Sequence, residues 1–370
     1  MKYRKFGKTG EEVSVLGFGC MRFRTLSDGT TVDEDEAVRL VRAGIDGGIN
    51  YVDTAWPYHN GESERILGKA LQDGYRAKTH IATKSPVWFI KEPKDFDYYL
   101  DEQLKRLDTD HVDFYLFHAL SEKLWENVKK LDLLSRMEAA RDAGKIRHIG
   151  FSFHDTHDVF LSILDGFDWE FCQIQMNYVD IEHQAGMEGL EEVGRRGMGL
   201  VIMEPLLGGQ LAALKSGPKG QMSNKKEEVE WGFDFLWNHP EVSTALSGMN
   251  TMGQLESNLL YASRAEPGML SPEDKDMLLR VRQAFKEMTI AACTSCEYCL
   301  PCPAGIEIPL VLRSLNQSAT LDVKQAKAFY DRMVVNGATS CLHCGSCEKK
   351  CPQHLTISDH MSNVAEMFKR

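Results

Sequence analysis

The amino-acid sequence predicts an α/β fold in which a (β/α)8 TIM barrel is followed by a small, mainly helical, cysteine-rich domain. From residue 10 to about 262, short apolar runs alternate with longer segments whose apolar residues recur every three to four positions. Eight of the ten cysteines lie within the last 84 of the 370 residues. We therefore expect a barrel over residues 1–265, a connecting helix over 266–290 and the cysteine-rich domain over 291–370.

Eight short runs rich in apolar and β-branched residues are the candidate strands of this barrel. The segments between them have helical spacing and several end at glycines, as residues 37–45 do before Gly47. Eight strand–helix units in about 250 residues match a (β/α)8 barrel in number and size. The alternative is a doubly wound sheet, but the third glycine of its usual G-x-G-x-x-G is missing after Gly17 and Gly19. The candidate strands are Val13–Leu16, Ile49–Asp53, His80–Lys84, Val112–His118, Ile146–Ser152, Phe171–Gln175, Gly199–Met203 and Thr244–Ser247.

Apolar spacing predicts three further helical segments. Residues 122–143 are expected to form one helix. Ser271 and Pro272 are typical of the first residues of a helix, which leads into the cysteine-rich domain. Within that domain, residues 309–335 have helical spacing and no strand-like alternation is present.

The overall composition excludes several classes of protein. Apolar residues make up 43% and charged residues 26% of the chain, which excludes disordered and collagen-like proteins. The net charge of −11 opposes binding to nucleic acid. No run of 18 apolar residues is present, so no membrane-spanning helix and no membrane partner are expected. The basic N-terminal residues lack a following apolar stretch, so we expect no secretory signal, a cytoplasmic location and no disulfide framework.

Polar side chains lie at the ends of three consecutive candidate strands. Asp53 ends the second strand, and Tyr58 lies in the loop that follows it. Lys84 ends the third strand and His118 ends the fourth. Because the carboxyl ends of the strands form the reactive face of a (β/α)8 barrel, we expect these four side chains to converge there.

This group of side chains suits the reduction of a carbonyl group. Hydride addition leaves an alkoxide that needs a proton, and the phenol of Tyr58 has an ordinary pKa of about 10. An ammonium at Lys84 would lower that pKa, and Asp53 would keep the ammonium charged and oriented. His118 would polarise the carbonyl oxygen through a hydrogen bond. Each residue alone also fits a structural role, as a turn cap, a loop aromatic, a solvated lysine or a core histidine.

The residues around these positions resemble the aldo-keto reductase family. The stretch Val52-Asp-Thr-Ala-Trp-Pro-Tyr-His-Asn-Gly-Glu-Ser-Glu-Arg-Ile-Leu-Gly-Lys-Ala-Leu71 is similar to the family signature around its catalytic Asp and Tyr. Lys84 and His118 fall where the family has its Lys and His. The resemblance covers residues 3–265 and implies a (β/α)8 barrel, a nicotinamide cofactor at the strand ends, and hydride transfer to an aldehyde or ketone with Tyr58 as general acid.

The resemblance also implies which residues hold the dinucleotide. Ser152 and Gln173 match the residues that hydrogen-bond the carboxamide in the family. Residues 204–209 are similar to the loop over the pyrophosphate, and residues 248–258 to the segment that grips the adenosine end, although ordinary turns would also explain both. The implied cofactor contacts are Met21, Ser152, Gln173, Pro205, Leu206, Gly248, Gln254 and Asn258.

Two positions depart from the family pattern. Met203 stands where an aromatic residue stacks on the nicotinamide, and Gly248 and Gln254 stand where basic residues often pair with a 2′-phosphate. Both NADP and NAD therefore stay open as cofactors. The weaker stacking also leaves room for another redox cofactor such as a flavin.

The cysteines of the C-terminal domain fall into two runs. The second run, C-x2-C-x2-C-x3-C-P, has the spacing that binds 4Fe-4S clusters, whereas zinc sites usually take separated C-x2-C pairs. Together the runs resemble two-cluster bacterial ferredoxins, although the first has only two residues before its last cysteine. The family's crossing rule implies one cluster held by Cys293, Cys296, Cys299 and Cys351, and a second held by Cys341, Cys344, Cys347 and Cys302.

The two halves together predict an oxidoreductase that acts on a small-molecule carbonyl substrate. In the preferred hypothesis the barrel exchanges a hydride with the carbonyl, and the two clusters pass electrons to or from a redox partner protein. One alternative is a plain carbonyl reductase whose clusters are structural. The other is an electron carrier whose barrel is catalytically silent.

Overall fold

The computed structural model describes residues 1–28, 31–214, 216–293, 299–320, 322–351 and 354–369. Contacts divide the chain into two compact units. The barrel unit comprises residues 1–208 and 229–271, and the tail unit comprises residues 209–228 and 272–370. Among the described residues, no helix combines the length and apolar character needed to cross a bilayer.

Ten strands are present among the described residues, and eight of them close into a parallel barrel. Closure is complete because Ala245 of the last strand pairs both with Leu16 of the first barrel strand and with Ile202. The predicted (β/α)8 TIM barrel is therefore confirmed, and the doubly wound alternative is wrong. The strands are β1 (Tyr3–Lys5), β2 (Glu12–Ser14), β3 (Leu16–Gly19), β4 (Tyr51–Asp53), β5 (His80–Ser85), β6 (Val112–Leu120), β7 (Ile146–Phe153), β8 (Phe171–Gln175), β9 (Gly199–Met203) and β10 (Thr244–Ser247).

Helices follow the barrel strands and also build the tail unit. The helices within residues 209–228 and 272–370 belong to the tail unit. All helices are given next in chain order. The helices are α1 (Glu34–Asp46), α2 (Ser63–Ala70), α3 (Pro93–Leu107), α4 (Glu122–Lys130), α5 (Leu133–Asp142), α6 (His157–Asp165), α7 (Gly186–Arg195), α8 (Ser216–Gln221), α9 (Glu228–Trp237), α10 (Met252–Ala262), α11 (Pro272–Glu287), α12 (Ile308–Thr320), α13 (Val323–Met333), α14 (Ser346–Lys350) and α15 (Ile357–Met367).

An N-terminal hairpin closes the base of the barrel. β1 and β2 pair antiparallel, and Phe6 in the turn between them packs against Phe114 with a ring-centroid distance of 4.5 Å. Phe6 also contacts the rings of Tyr51 and Phe171. The single strand predicted for Val13–Leu16 is therefore two strands, because β2 ends the hairpin before β3 enters the barrel.

Two predicted helices are interrupted. The segment 122–143 forms α4 and α5, because Asp132 adopts a left-handed conformation with φ of 51° between them. The segment 309–335 forms α12 and α13, and Asp322 caps the second helix by accepting a hydrogen bond from the backbone N–H of Gln325 at 2.8 Å. Neither break disturbs the helical character of its segment.

The tail unit has its own small apolar core. Ile308, Leu312 and Leu315 of α12 pack with Tyr330 of α13 and Met361 of α15. Cysteines flank this core and are partly buried against it. A core of this size gives a short domain limited stability, so a bound metal group would add substantially to it.

Candidate active site and cysteine-lined cavity

Asp53 and Lys84 form a buried ion pair at the mouth of the barrel. Their strands are neighbours, with Asp53 of β4 paired to Ala82 of β5. Lys84 is 0% exposed and Asp53 is 2% exposed. The Lys84 Nζ donates to both carboxylate oxygens of Asp53 at 2.7 Å and to the backbone carbonyl of Thr54 at 2.8 Å. Burial lowers the pKa of Lys84, but Asp53 and Tyr58 together outweigh burial, so the net pKa is raised and the ammonium stays charged.

Tyr58 lies directly above this ion pair. The Lys84 Nζ is 5.1 Å from the centre of the Tyr58 ring, close enough for its charge to act on the phenol. Burial raises the pKa of Tyr58, and Lys84 is the strongest influence that lowers it. The lysine therefore acts in the expected direction, but burial outweighs it, so the net shift of the pKa of Tyr58 is upward.

His118 of β6 completes the group. Its ring meets Tyr58 edge to face at 6.0 Å between centroids and lies 4.9 Å from the ring of Trp88. Burial, with the charge of Lys84 second, holds the pKa of His118 well below its usual value, so the imidazole is neutral. Its buried Nδ1 has no hydrogen-bond partner among the described residues. The structure thus brings together all four side chains that the sequence placed at these strand ends.

Glu64 fixes the segment that carries Tyr58. Its side chain is fully buried, and it accepts hydrogen bonds from Thr83 at 2.7 Å and from Gln103 at 2.6 Å. The guanidinium of Arg106 lies 3.3 Å from its second carboxylate oxygen. These contacts tie the segment after β4 to β5 and α3, which explains the glutamate in the sequence signature.

Ser152 and Gln173 lie side by side at the ends of β7 and β8. The Ser152 Oγ accepts a hydrogen bond from the backbone N–H of Ala119 at 2.7 Å, which leaves its hydroxyl proton to donate. The Gln173 Nε2 donates to the Met203 Sδ at 3.5 Å, while its buried Oε1 has no partner within the described chain. The Ser152 hydroxyl can therefore donate and the Gln173 Oε1 can accept. This pair suits a carboxamide, because its oxygen accepts and its NH2 group donates.

The loop after β9 holds a strained backbone. Glu204 and Leu207 have positive φ values of 53° and 49°, and Gly208 and Gly209 continue the left-handed run at 64° and 98°. Pro205 is buried and Leu206 packs over Gly232 of α9. Strain of this kind persists only where packing holds it, and it often marks a ligand site.

The segment after β10 is braced by its own side chains. The Gln254 Oε1 accepts from the backbone N–H of Asn250 at 2.9 Å, and the Asn258 Nδ2 donates to the Ser247 Oγ at 3.1 Å. Gln254 is exposed and Asn258 is buried. Both residues therefore shape this segment in the structure.

Arg22 lies over the same region and was not singled out from the sequence. A Cβ added to Gly248 would stand 2.6 Å from the Arg22 Cγ, and one added to Gly208 would stand 3.9 Å from the Arg22 Nη2. The exposed guanidinium therefore lies between the loops after β9 and β10, next to the exposed Met21. The available signal was a basic residue just beyond the first barrel strand, but only folding shows which loops it reaches.

The tail unit contains a cavity, partly open to solvent, that is lined by sulfur and apolar groups. Its wall includes Ile306, Ile357 and Met361. Cys293 and Cys351 are partly buried beside the same core, and Cys296 lies outside the described residues. Among the described residues, no three His, Cys, Asp or Glu side chains converge on a single metal ion. The cysteines that line the cavity are Cys299, Cys302, Cys341, Cys344 and Cys347.

This arrangement fits a multi-iron cluster. Thiolates are the usual ligands of such clusters, and an apolar wall shields them from water. The cavity gathers all four cysteines expected to hold the second cluster, together with Cys299 from the first set.

Comparisons with known proteins agree with both halves of the chain. The model of the aldo/keto reductase family matches residues 15–234, and that of the 4Fe-4S dicluster domain matches residues 292–356. The uncharacterized oxidoreductase YrpG of Bacillus subtilis (strain 168) is 28% identical over 253 residues, which are 62% of this chain and 74% of that protein. The L-galactose dehydrogenase of Arabidopsis thaliana is 26% identical over 313 residues, which are 78% of this chain and 97% of that protein.

A solved structure shows the same fold. The aldo-keto reductase from Klebsiella pneumoniae in complex with NADPH superposes with a TM-score of 0.63. The match covers 76% of this chain and 95% of that one at 22% identity, so the likeness is one of fold.

Proposed function

The chain belongs to the aldo/keto reductase family and carries a 4Fe-4S dicluster domain, and on that premise we propose that its barrel interconverts a small aldehyde or ketone and the alcohol. The protein is an oxidoreductase. The observation that carries the proposal is the buried Asp53–Lys84 pair, whose ammonium lies 5.1 Å from the centre of the Tyr58 ring. An ion pair costs free energy to bury, so its presence under a phenol supports a catalytic role for that phenol.

Tyr58 is the proton donor in this proposal. A nicotinamide dinucleotide bound at the barrel mouth would supply the hydride. As the π electrons of C=O move onto oxygen, the Tyr58 hydroxyl gives that oxygen its proton and becomes a phenolate. The ammonium of Lys84 stabilises the phenolate, and Asp53 holds the ammonium in place. In the oxidative direction the phenolate accepts the proton back.

His118 orients the carbonyl. Because its imidazole is neutral, it carries one N–H that can donate to the carbonyl oxygen while charge develops there. The unpartnered Nδ1 and the neighbouring Trp88 ring support a site for substrate at this edge of the mouth. An apolar wall on one side and two proton donors on the other suit a small carbonyl compound.

The dinucleotide is held by side chains around the other half of the mouth. Ser152 would donate to its carboxamide oxygen, and the Gln173 Oε1 would accept from its amide. Arg22 supplies positive charge for a phosphate, a contact that Gly248 and Gln254 cannot make. The proposal covers both NADP and NAD, and the solved NADPH complex of the Klebsiella pneumoniae relative supports a nicotinamide cofactor of this type.

The tail would hold two 4Fe-4S clusters that exchange single electrons with a redox partner protein. The cysteine-lined cavity supports one cluster on Cys302, Cys341, Cys344 and Cys347. The other cluster is assigned to Cys293, Cys296, Cys299 and Cys351 by the crossing rule of two-cluster ferredoxins. A hydride carries two electrons and a cluster takes one at a time, so an intermediary such as a flavin would be needed to join the two processes.

Activity assays under anaerobic conditions test the barrel chemistry. Cluster-loaded protein is mixed with NADPH or NADH and a panel of aldehydes and ketones, and the alcohol is quantified. We expect turnover that falls about 10²- to 10⁴-fold in Tyr58→Phe, because the proton donor is lost. Tyr75→Phe is the matched control, since Tyr75 donates to Asp46 on the surface. An absence of turnover across the panel, or equal rates in Tyr58→Phe and wild type, would contradict the proposal.

Redox titration tests the role assigned to the clusters. We expect reduced ferredoxin to bleach the cluster absorbance rapidly and reversibly. Clusters that no donor reduces would instead support a structural role.

A further inference from the structure

The segment that follows Tyr58 has an unusual backbone. His59, Asn60 and Gly61 have φ values of 52°, 56° and 93°, so three successive residues are left-handed. Histidine and asparagine adopt this conformation more readily than most residues, but the run still needs support from its surroundings. His59 therefore has a constrained place in the fold, although the proposed chemistry gives it no role.

The His59 side chain contacts the loop after the first barrel strand. Its Nε2 accepts a hydrogen bond from the backbone N–H of Phe23 at 3.2 Å. The imidazole also stacks on the Phe23 ring, with centroids 5.5 Å apart and planes inclined by 22°. Phe23 is buried, so its backbone N–H would be costly to leave without an acceptor.

This contact fixes one end of the turn formed by Cys20–Arg22. At the other end, the Cys20 carbonyl accepts a hydrogen bond from the Ser63 Oγ at 3.1 Å. Ser63 and His59 both belong to the segment that begins at Tyr58. The turn that presents Arg22 is thus fastened at both ends to the segment that carries the proton donor.

We propose that His59 is a positioning residue that couples dinucleotide binding at the Cys20–Arg22 turn to the alignment of Tyr58. The coupling rests on the proposed function, since it assumes that a dinucleotide lies against Arg22. The fastening of the turn by His59 is independent of that assumption. His59 touches neither substrate nor cofactor and acts through Phe23.

The fastening depends on pH because the Nε2 accepts only when it is unprotonated. Burial, with the charge of Arg22, lowers the pKa of His59 below 6.5, and a hydrogen bond to the Cys20 backbone opposes this. Arg106 lies behind the segment, 3.5 Å from where a Cβ of Gly61 would stand, and the Asp53–Lys84 pair acts on Cys20. Because the pKa is lower in the folded protein, the contact is intact at neutral pH and weakens as the pH falls below about 6.5.

Hydrogen exchange measured by mass spectrometry on the cluster-loaded full chain tests the fastening. The readout is the protection factor of the peptide that contains Phe23, at neutral and acidic pH. His59→Asn keeps a residue that tolerates the left-handed backbone but is too short to reach Phe23, so we expect protection to fall about tenfold. His59→Gln offers an acceptor at a similar reach that does not titrate. His80→Asn at the barrel base is the control, because burial also lowers the pKa of His80.

Binding of NADPH to the same variants, followed by fluorescence, tests the coupling. We expect wild type to lose both Phe23 protection and NADPH affinity as the pH is lowered. His59→Asn should already have lost both at neutral pH. His59→Gln should keep both at neutral and acidic pH. The fastening of the turn by His59 is contradicted if Phe23 protection is unchanged in His59→Asn. It is also contradicted if Phe23 protection in wild type does not depend on pH. Loss of protection with unchanged NADPH affinity overturns the coupling alone. If wild type binds neither NADPH nor NADH, the proposed function and the coupling are both contradicted. The hydrogen-exchange result then still tests whether His59 holds the Cys20–Arg22 turn.

Discussion

The mouth of the barrel and the cysteine-lined cavity of the tail unit differ in which partners their reactive side chains have. At the mouth, the chain itself supplies three acceptors for the Lys84 ammonium: both carboxylate oxygens of Asp53 and the Thr54 carbonyl. In the tail, five cysteines face a cavity, and none of the described cysteines forms a disulfide. The polypeptide alone therefore holds the Lys84 ammonium, whereas the tail site would be completed by the clusters that it would hold.

Loss of the buried ammonium should have the largest effect on the barrel. In Lys84→Met, the carboxylate of Asp53 is left buried without its partner, so we expect a loss of about 3 to 5 kcal/mol in the free energy of unfolding. Carbonyl reduction should also fall about 10²- to 10⁴-fold, because the phenolate of Tyr58 is no longer stabilised. Chemical denaturation and steady-state kinetics measure the two effects.

The double variant Asp53→Asn with Lys84→Met separates these effects. It removes the uncompensated charge, so stability should largely return while activity stays low. A double variant that is as unstable as Lys84→Met would show that the ion pair is not the source of the effect.

A single ligand substitution should have an intermediate effect that is confined to the tail. We expect Cys341→Ser to lose the iron of one cluster, about half of the total, and to keep the other. Cys172→Ser is the matched control, because Cys172 is buried in β8 of the barrel and lies far along the chain from both cysteine runs. Iron and sulfide analysis with electron paramagnetic resonance checks this. Equal iron content in both variants would break the assignment of Cys341 as a ligand.

The smallest expected effect concerns an exposed charge at the barrel mouth. Arg22→Ala should weaken dinucleotide binding about tenfold, because a phosphate loses one charge-assisted hydrogen bond in a partly solvated site. Arg39→Ala is the control, since Arg39 pairs with Glu36 on the surface of α1. Titration of NADPH and NADH with both variants gives the comparison. Identical dissociation constants for Arg22→Ala and wild type would remove Arg22 from the cofactor site.

The sequence predicted the barrel strands well where burial leaves a clear pattern. The bounds of β8, β9 and β10 agree with those expected, and β9 shows the clearest signal, because a strand covered on both faces is a nearly continuous apolar run. The hairpin of β1 and β2 went unrecognised because each strand has three residues and alternation over so short a run carries little signal. The break at Asp132 was missed because a left-handed aspartate interrupts the helical backbone without interrupting the apolar spacing.

The candidate site was predictable from the sequence only where its residues lie at strand ends. Asp53, Lys84 and His118 are tied to strand ends, so the topology of a parallel barrel brings them together. The contacts of Arg22 with Gly248 and of His59 with Phe23 depend on how loops far apart in the chain fold over one another. Spacing alone likewise does not say which thiols face the same space, and the structure places both Cys299 and Cys302 in the wall of one cavity.

Anaerobic removal of iron by a chelator tests most directly whether the tail unit depends on its clusters while the barrel does not. Hydrogen exchange across the chain and dinucleotide-dependent carbonyl reduction are measured on the same sample before and after removal. We expect α12 to α15 to lose protection while the barrel strands keep theirs and the rate of carbonyl reduction is unchanged. A tail that stays protected without iron, or a barrel that loses activity together with the clusters, would contradict the account.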